Sequence, residues 1–218
     1  MKKTLLGLPF LLMISTAMVF HVGNVLGGTH WGYVAGFAFY DACWCIIMPI
    51  IILNRNGEKL RVVFQEEEPL FQRKHWYLVA FMVLVPTIAI FMYIDTIASL
   101  PSTPTLLIAV AIPATILNGT CEEIYWRGLY THAFKNKPII GWIYPAACFS
   151  LWHLVPQVVV WEGGFTLVIS SFFLGLPLGL IAFKTRTVTW TAIIHGFIGI
   201  IALGAPLGEA IFTAMTGA

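Results

Sequence analysis

Charged side chains are scarce in this sequence: of 218 residues only 12 are Lys or Arg and 10 are Asp or Glu. The surface of a soluble domain carries charge on about a quarter of its residues, so a water-soluble fold is excluded. Cysteine is sparse as well. Cys43, Cys45, Cys121 and Cys148 all fall in apolar runs, and the Cys43-x-Cys45 spacing has no second half of a zinc pattern. That argues against a disulfide framework or a zinc module and leaves four small buried side chains. The strict alternation over about ten residues that a membrane β-strand needs is missing, as are internal repeats and low-complexity tracts. A net charge of only +2 gives no basic surface for nucleic acid.

What remains is hydrocarbon. With 59% hydrophobic residues and a mean hydropathy of +0.86, the chain reads as one integral membrane domain over residues 1–218, an all-α polytopic transmembrane helix bundle. Runs of about 17 to 25 apolar residues mark helical spans. Seven are expected: Thr4 to Gly23, Trp31 to Leu53, Trp76 to Ile97, Pro104 to Tyr130, Pro138 or Pro145 to Trp161, Phe165 to Phe183, and Val188 to Leu203. The tail Pro206 to Ala218 has room for a short eighth helix. The first run is read as a retained helix rather than a signal peptide, because hydrophobicity continues past the small-residue triplet Ser15-Thr16-Ala17.

The few basic residues agree with this count. Lys2 and Lys3, then Arg55, Lys59, Arg61, Arg73 and Lys74, then Lys135 and Lys137, then Lys184 and Arg186 all fall on one side of the expected bundle. The connections around Gly27, Ser102 and Gly163 carry none. The positive-inside rule therefore predicts a cytoplasmic N-terminus and an outer C-terminus. The polar segment Asn54 to His75, punctuated by Val62, Val63, Phe64, Leu70 and Phe71, is expected to be a solvated cytoplasmic loop. Trp31, Trp76, Tyr77 and Trp161 are placed as interfacial anchors.

Only Arg127 escapes the charge pattern. It follows Glu122 and Glu123 in the fourth span, and ionisable groups at membrane depth mark function by default. Consecutive helical residues point about 100° apart, so the two carboxylates cannot share one task. Glu123 stands in the favourable carboxylate-first i,i+4 geometry to Arg127, which leaves Glu122 free. Asn118 lies one turn before Glu122 on the same stripe and supports the site.

His153, with Pro145 as the start of the fifth span, and His195 on the seventh are expected about 12 Å and 10 Å from the cytoplasmic helix ends, with Glu122 at about 18 Å. Three ionisable side chains thus approach a common depth. A carboxylate with an imidazole is a competent general base for water, and a second imidazole can steady an oxyanion or protonate a leaving amine. Hydrolysis of a peptide bond is the natural use. Asp41, alone within the second span, reads as a helix–helix hydrogen-bonding group in preference to a proton relay, and His21, His30 and Asp95 lie near span ends where water solvates them.

At these residues the chain resembles the CAAX protease and bacteriocin-processing family, or Abi family, of intramembrane proteases. Glu122, Glu123 and Arg127 match its E-E-x-x-x-R motif, and Phe149 and His153 match its F-x-x-x-H motif. His195 begins its H-x-x-x-N motif, whose last position, Asn or Asp in the family, is Gly199 here. The resemblance implies a catalytic core at 104–203, preceded by variable N-terminal spans over 1–100. It implies an endopeptidase in which Glu122 and His153 activate water, while His195 and the missing amide would form the oxyanion site. Asn118 or Thr191 is the nearest replacement donor.

The resemblance favours chemistry without a cofactor. Zinc held by Glu122, His153 and His195, a His₂Glu set, is the alternative. The expected substrate is a membrane-associated peptide or protein reached from the cytoplasmic leaflet. The expected setting is the lipid bilayer of a bacterial inner membrane, and nothing in the sequence sets an oligomeric state. A non-catalytic immunity or regulatory protein of the same family is the competing reading, and Gly199 is its main support. A transporter using Glu122, Asp41 and the histidines as a proton path lacks the inverted repeat expected of one.

Overall fold

A computed structural model of the chain describes residues 2–159, 164–204 and 206–217. The longest helix, α1 (Lys2–Phe39), cannot be one rod, because Gly28 sits at φ 81°, ψ 174°. The chain reverses there. A Cβ on Gly23 would come within 2.9 Å of the Gly32 Cα, although nine residues of straight helix would hold them about 13 Å apart. Past the turn, Phe20 meets Tyr33 and Phe37 edge-on at 5.5 Å, and the Trp44 indole donates to Ser15 Oγ at 2.9 Å. Only glycine lets the two arms approach this closely: a Cβ on Gly36 would strike the Phe20 ring at 2.4 Å.

The second arm continues through a wide π-type turn (Tyr40–Ile47) into α2 (Met48–Asn54). Then come α3 (Trp76–Met92), α4 (Ile94–Ser99), α5 (Thr105–Glu123), a second π-type segment (Ile124–Leu129) and α6 (Tyr130–Ala133). A third π-type segment (Ile139–Ile143) leads into α7 (Tyr144–Trp152), followed by α8 (Gly164–Thr185), α9 (Thr189–Ile201) and α10 (Leu207–Thr216). Among the described residues there is no strand.

Five stretches are long and apolar enough to cross a membrane: Thr4–Asn54, Arg73–Met92, Thr105–Ala133, Ile139–Val158 and Gly164–Thr185. The number falls below seven for two reasons. Thr4–Asn54 contains both expected N-terminal runs as one stretch of 51 residues, and α9 has 13 residues, about 20 Å of helix. Outward faces carry exposed Phe10, Ile14, Met18, Leu26, Phe91 and Phe173, the reverse of a soluble protein and what a hydrocarbon solvent requires. Trp31 and Trp76 are exposed near helix ends, whereas Trp161 lies outside the described residues.

The segment between α2 and α3 departs from the solvated loop expected of it. Val63 and Leu70 are almost wholly buried, and the Val63 carbonyl accepts from the Val188 amide at 2.9 Å. The amides of Glu67 and Glu68 both donate to the Thr185 carbonyl, and Glu66 takes the Trp190 indole N–H at 2.9 Å. Glu58 meets His132 at 2.5 Å and Glu67 pairs with Lys135. The apolar residues that punctuate the segment fold it back across the ends of α6, α8 and α9, where burial outweighs its charge.

Around the site the packing depends on small side chains, as membrane helix contacts do. Helices α5 and α9 touch where a Cβ on Gly119 would meet the His195 ring and the Gly196 backbone at 3.4 Å. Helix α10 seats Gly208 against Ala111 of α5, where an added Cβ would lie 2.7 Å from the alanine methyl. All four cysteines are free thiols, with Cys45, Cys121 and Cys148 buried.

Candidate active site

Glu122 and Glu123 are the last two residues of α5 and are 2% and 0% exposed. The helix widens immediately after them into the Ile124–Leu129 π-type segment; such turns recur at functional sites. Arg127 lies in that segment, and its guanidinium meets Glu123 Oε1 at 3.0 Å, both groups sealed from solvent. The Arg127 plane also lies over the Phe149 ring, 4.3 Å from its centroid. An ion pair with a ring on its other face is the arrangement that a desolvated guanidinium tolerates.

Glu123 has a second partner. His195 Nδ1 lies 2.9 Å from the same Oε1, so the carboxylate paired with arginine also fixes an imidazole. A carboxylate only accepts, so Nδ1 carries the proton. His195 Nε2 is turned to Glu122, 3.4 Å from its Oε2. Glu122 and Glu123 therefore do diverge, but one histidine bridges them, an arrangement that helix geometry within α5 does not predict.

His153 caps the C-terminal end of α7. Its Nδ1 donates to the Phe149 carbonyl at 2.8 Å, which leaves Nε2 as the lone-pair nitrogen. The ring stands edge-on to Phe149 at 4.6 Å, and Phe149 faces His195 at 6.0 Å. Phe149 thus holds three functional side chains: Arg127 on its face, and His153 and His195 at its edges. The sequence motif includes this phenylalanine without disclosing that role. The helix leading to His153 starts at Ile139, capped by Pro138, the earlier of the two expected starts, which puts the imidazole about 21 Å along it where a start at Pro145 gives about 12 Å.

Glu122, His153 and His195 line one cavity of about 350 Å³, together with Asn118, Thr115 and Gly199. Glu123 and Arg127 do not line it and stand behind His195. The Asn118 Oδ1 is buried without a hydrogen-bond partner. Thr191 does not line the cavity: its hydroxyl lies between the Val188 carbonyl at 3.1 Å and the Glu123 carboxylate, behind His195 and out of reach of a substrate there. Asp41 Oδ1 is buried without a hydrogen-bond partner and also lies off the cavity. His21, His30 and Asp95 are exposed. Tyr40 has a role that sequence reading missed: its hydroxyl accepts from the Trp126 indole at 2.6 Å and its ring stacks on Trp152 at 4.0 Å. Its one early signal was a phenol next to the isolated Asp41.

The direction of the cavity is consistent on five helices. It follows α5 from Glu122 back to Thr115, α9 from His195 on to Ala202, α3 from Val85 to Met92, α8 from Leu174 back to Leu167, and α1 at Tyr33 and Phe37 near the Gly28 turn. On each, this leads away from the basic residues at Arg55 to Lys74, Lys135, Lys137, Lys184 and Arg186. The expected approach from the basic side is not the one the cavity follows. A zinc ion would need three donors converging on one point, and among the described residues no group of three His, Cys, Asp or Glu side chains does so.

Residues 104–201 match the sequence profile of the family described as type II CAAX prenyl endopeptidase Rce1-like. This stretch is similar to that family. The matched stretch makes up a little under half of the chain and includes Glu122, Glu123, Arg127, Phe149, His153 and His195. The family is one of proteases, and with the long apolar helices it marks an integral membrane protein. No curated protein and no solved structure gives a significant match to the chain.

Proposed function

We propose that the chain is an intramembrane endopeptidase that hydrolyses a peptide bond of a membrane-associated peptide or protein. The reading rests on one observation: Glu122, His153 and His195 line a single cavity, and His195 is held in one tautomer by the buried Glu123–Arg127 pair. Glu122 and the Nε2 of His153 draw a proton from water as its oxygen attacks the scissile carbonyl carbon. The carbonyl electrons pass to oxygen, and the intermediate collapses by breaking the C–N bond as the proton returns to the leaving amine. The reading assigns proton transfer to the carboxylate and imidazole alone and gives no step to a metal; the chelator arm of the test below decides between the two. Residues 104–203 form the catalytic core and the preceding helices are additions to it.

In the bilayer the chain crosses seven times, with the two arms of Thr4–Asn54 counted separately and α9 as a short crossing. The positive-inside rule puts the basic ends and the N-terminus in the cytoplasm of a bacterial cell. The substrate segment then enters from the opposite, extracytoplasmic leaflet, the side toward which the cavity runs. The cavity lining is apolar over most of its extent, from Tyr33, Phe37, Val85, Leu167 and Leu174, and suits a hydrophobic stretch of chain drawn laterally from lipid.

The test is cleavage of a membrane-tethered peptide library by purified protein in detergent or vesicles. Glu122→Gln and His153→Ala are each expected to lose about 10²- to 10⁴-fold in kcat while eluting as folded protein, and a chelator is expected to leave the wild type unaffected. Equal product from wild type and both variants overturns the protease reading.

A further inference from the structure

One position of the site carries no side chain. Gly199 lies one turn beyond His195 on α9, and it lines the cavity. Its Cβ space is already taken: a Cβ built there would lie 1.9 Å from Thr115 Oγ1 on the facing helix α5. Thr115 and any larger residue at 199 therefore exclude each other unless Thr115 turns or the two helices part.

The threonine hydroxyl is itself unengaged. Thr115 is 7% exposed, its side chain lines the cavity, and it has no hydrogen-bond partner among the described residues. Its Oγ1 is not among the side-chain atoms sealed from solvent and so opens into the cavity, whereas Thr87, Thr131 and Thr185 return their hydroxyls to a backbone carbonyl. On α5, Thr115, Asn118 and Glu122 follow the i, i+3, i+7 pattern of one helix face, and all three line the cavity. Asn118 adds a buried oxygen without a partner, its Oδ1. The face that ends in Glu122 thus begins with an unused donor.

We propose that Thr115 is a catalytic residue: its Oγ–H donates to the oxygen that becomes an oxyanion when water adds to the scissile carbonyl. This role rests on the endopeptidase reading above. As the C=O electron pair moves onto oxygen, the Thr115 hydroxyl gains the acceptor it lacks in the free protein. The bond is therefore made more strongly in the transition state than in the ground state, the condition for it to raise kcat. Gly199 is the counterpart of this arrangement, because its missing side chain makes room for the threonine oxygen.

The experiment measures kcat and KM for cleavage of the tethered peptide by wild type, Thr115→Val, Thr115→Ser and the double variant Thr115→Ala/Gly199→Asn. Thr115→Val keeps shape and removes the donor, and is expected to lower kcat about 100-fold with KM within about twofold. Thr115→Ser keeps the donor and is expected to lose no more than about threefold in kcat. The double variant moves a donor to the facing helix and is expected to recover at least about tenfold over Thr115→Val. Active wild type with Thr115→Val within threefold of it overturns the donor role alone, as does a serine variant as impaired as the valine one. A wild type that cleaves no peptide overturns the endopeptidase reading and this role together.

Discussion

Removing one member of the Glu123–Arg127 pair should destabilise the protein far more than removing both. The two groups meet at 3.0 Å with side chains 0% and 2% exposed, so neither has water to fall back on. Breaking a buried pair by deleting one partner costs about 3–5 kcal/mol, because the survivor is a stranded charge. Arg127→Met leaves the Glu123 carboxylate with the His195 N–H at 2.9 Å and the Thr191 hydroxyl, neither of which replaces the lost cation. It also forfeits the Phe149 stacking, worth about 0.5–2 kcal/mol. Glu123→Gln leaves the guanidinium over Phe149 with a neutral amide beside it. The double variant strands no charge and preserves volume, so it should sit within about 1–2 kcal/mol of wild type. The coupling in the double-mutant cycle should thus be about 3 kcal/mol or more. Reversible unfolding of the purified protein in mixed micelles, followed by tryptophan fluorescence, reads each value. Single variants that cost under 1 kcal/mol, or a double variant as unstable as the sum of the singles, would refute the reasoning.

Other outcomes follow from particular contacts. Gly36→Leu should splay the N-terminal hairpin, since even a Cβ there meets the Phe20 ring at 2.4 Å; overpacking of this kind costs about 1–3 kcal/mol, and the same unfolding assay reads it. Single cysteines placed at Met92 or Tyr93 in a cysteine-free background should react with a membrane-impermeant maleimide on intact cells. A cysteine at Arg61 should react only after permeabilisation, and the reverse labelling would invert the proposed entry side.

The basic residues illustrate what could be read without coordinates. Charges that cannot stay in hydrocarbon must leave it, so Arg55, Lys135 and Lys184 mark one end of the bundle whatever the tertiary contacts are. The polar segment from Asn54 to His75 was read less well, because Val63 and Leu70 are buried only through contacts with residues far along the chain, among them Val188. The N-terminal turn was legible as a gap between two apolar runs. That the arms would close on Gly23, Gly32 and Gly36 was not, since close approach is a property of two surfaces and neither is visible in one segment.

The site divides along the same line. Within α5 the helical repeat relates Glu123 to Arg127, and Glu122 to Asn118, before any packing is known. The repeat cannot say how α5 is rotated against α9, and that rotation decides the rest. It brings His195 onto both carboxylates, turns Thr191 away, and sets Thr115 in the space that Gly199 leaves open. Composition and local periodicity thus determined the membrane class, the charge asymmetry and the pairing within one helix. Only the docking of helix on helix decided which faces share the cavity and toward which end it runs, because those contacts join residues whose separation in sequence carries no angular information.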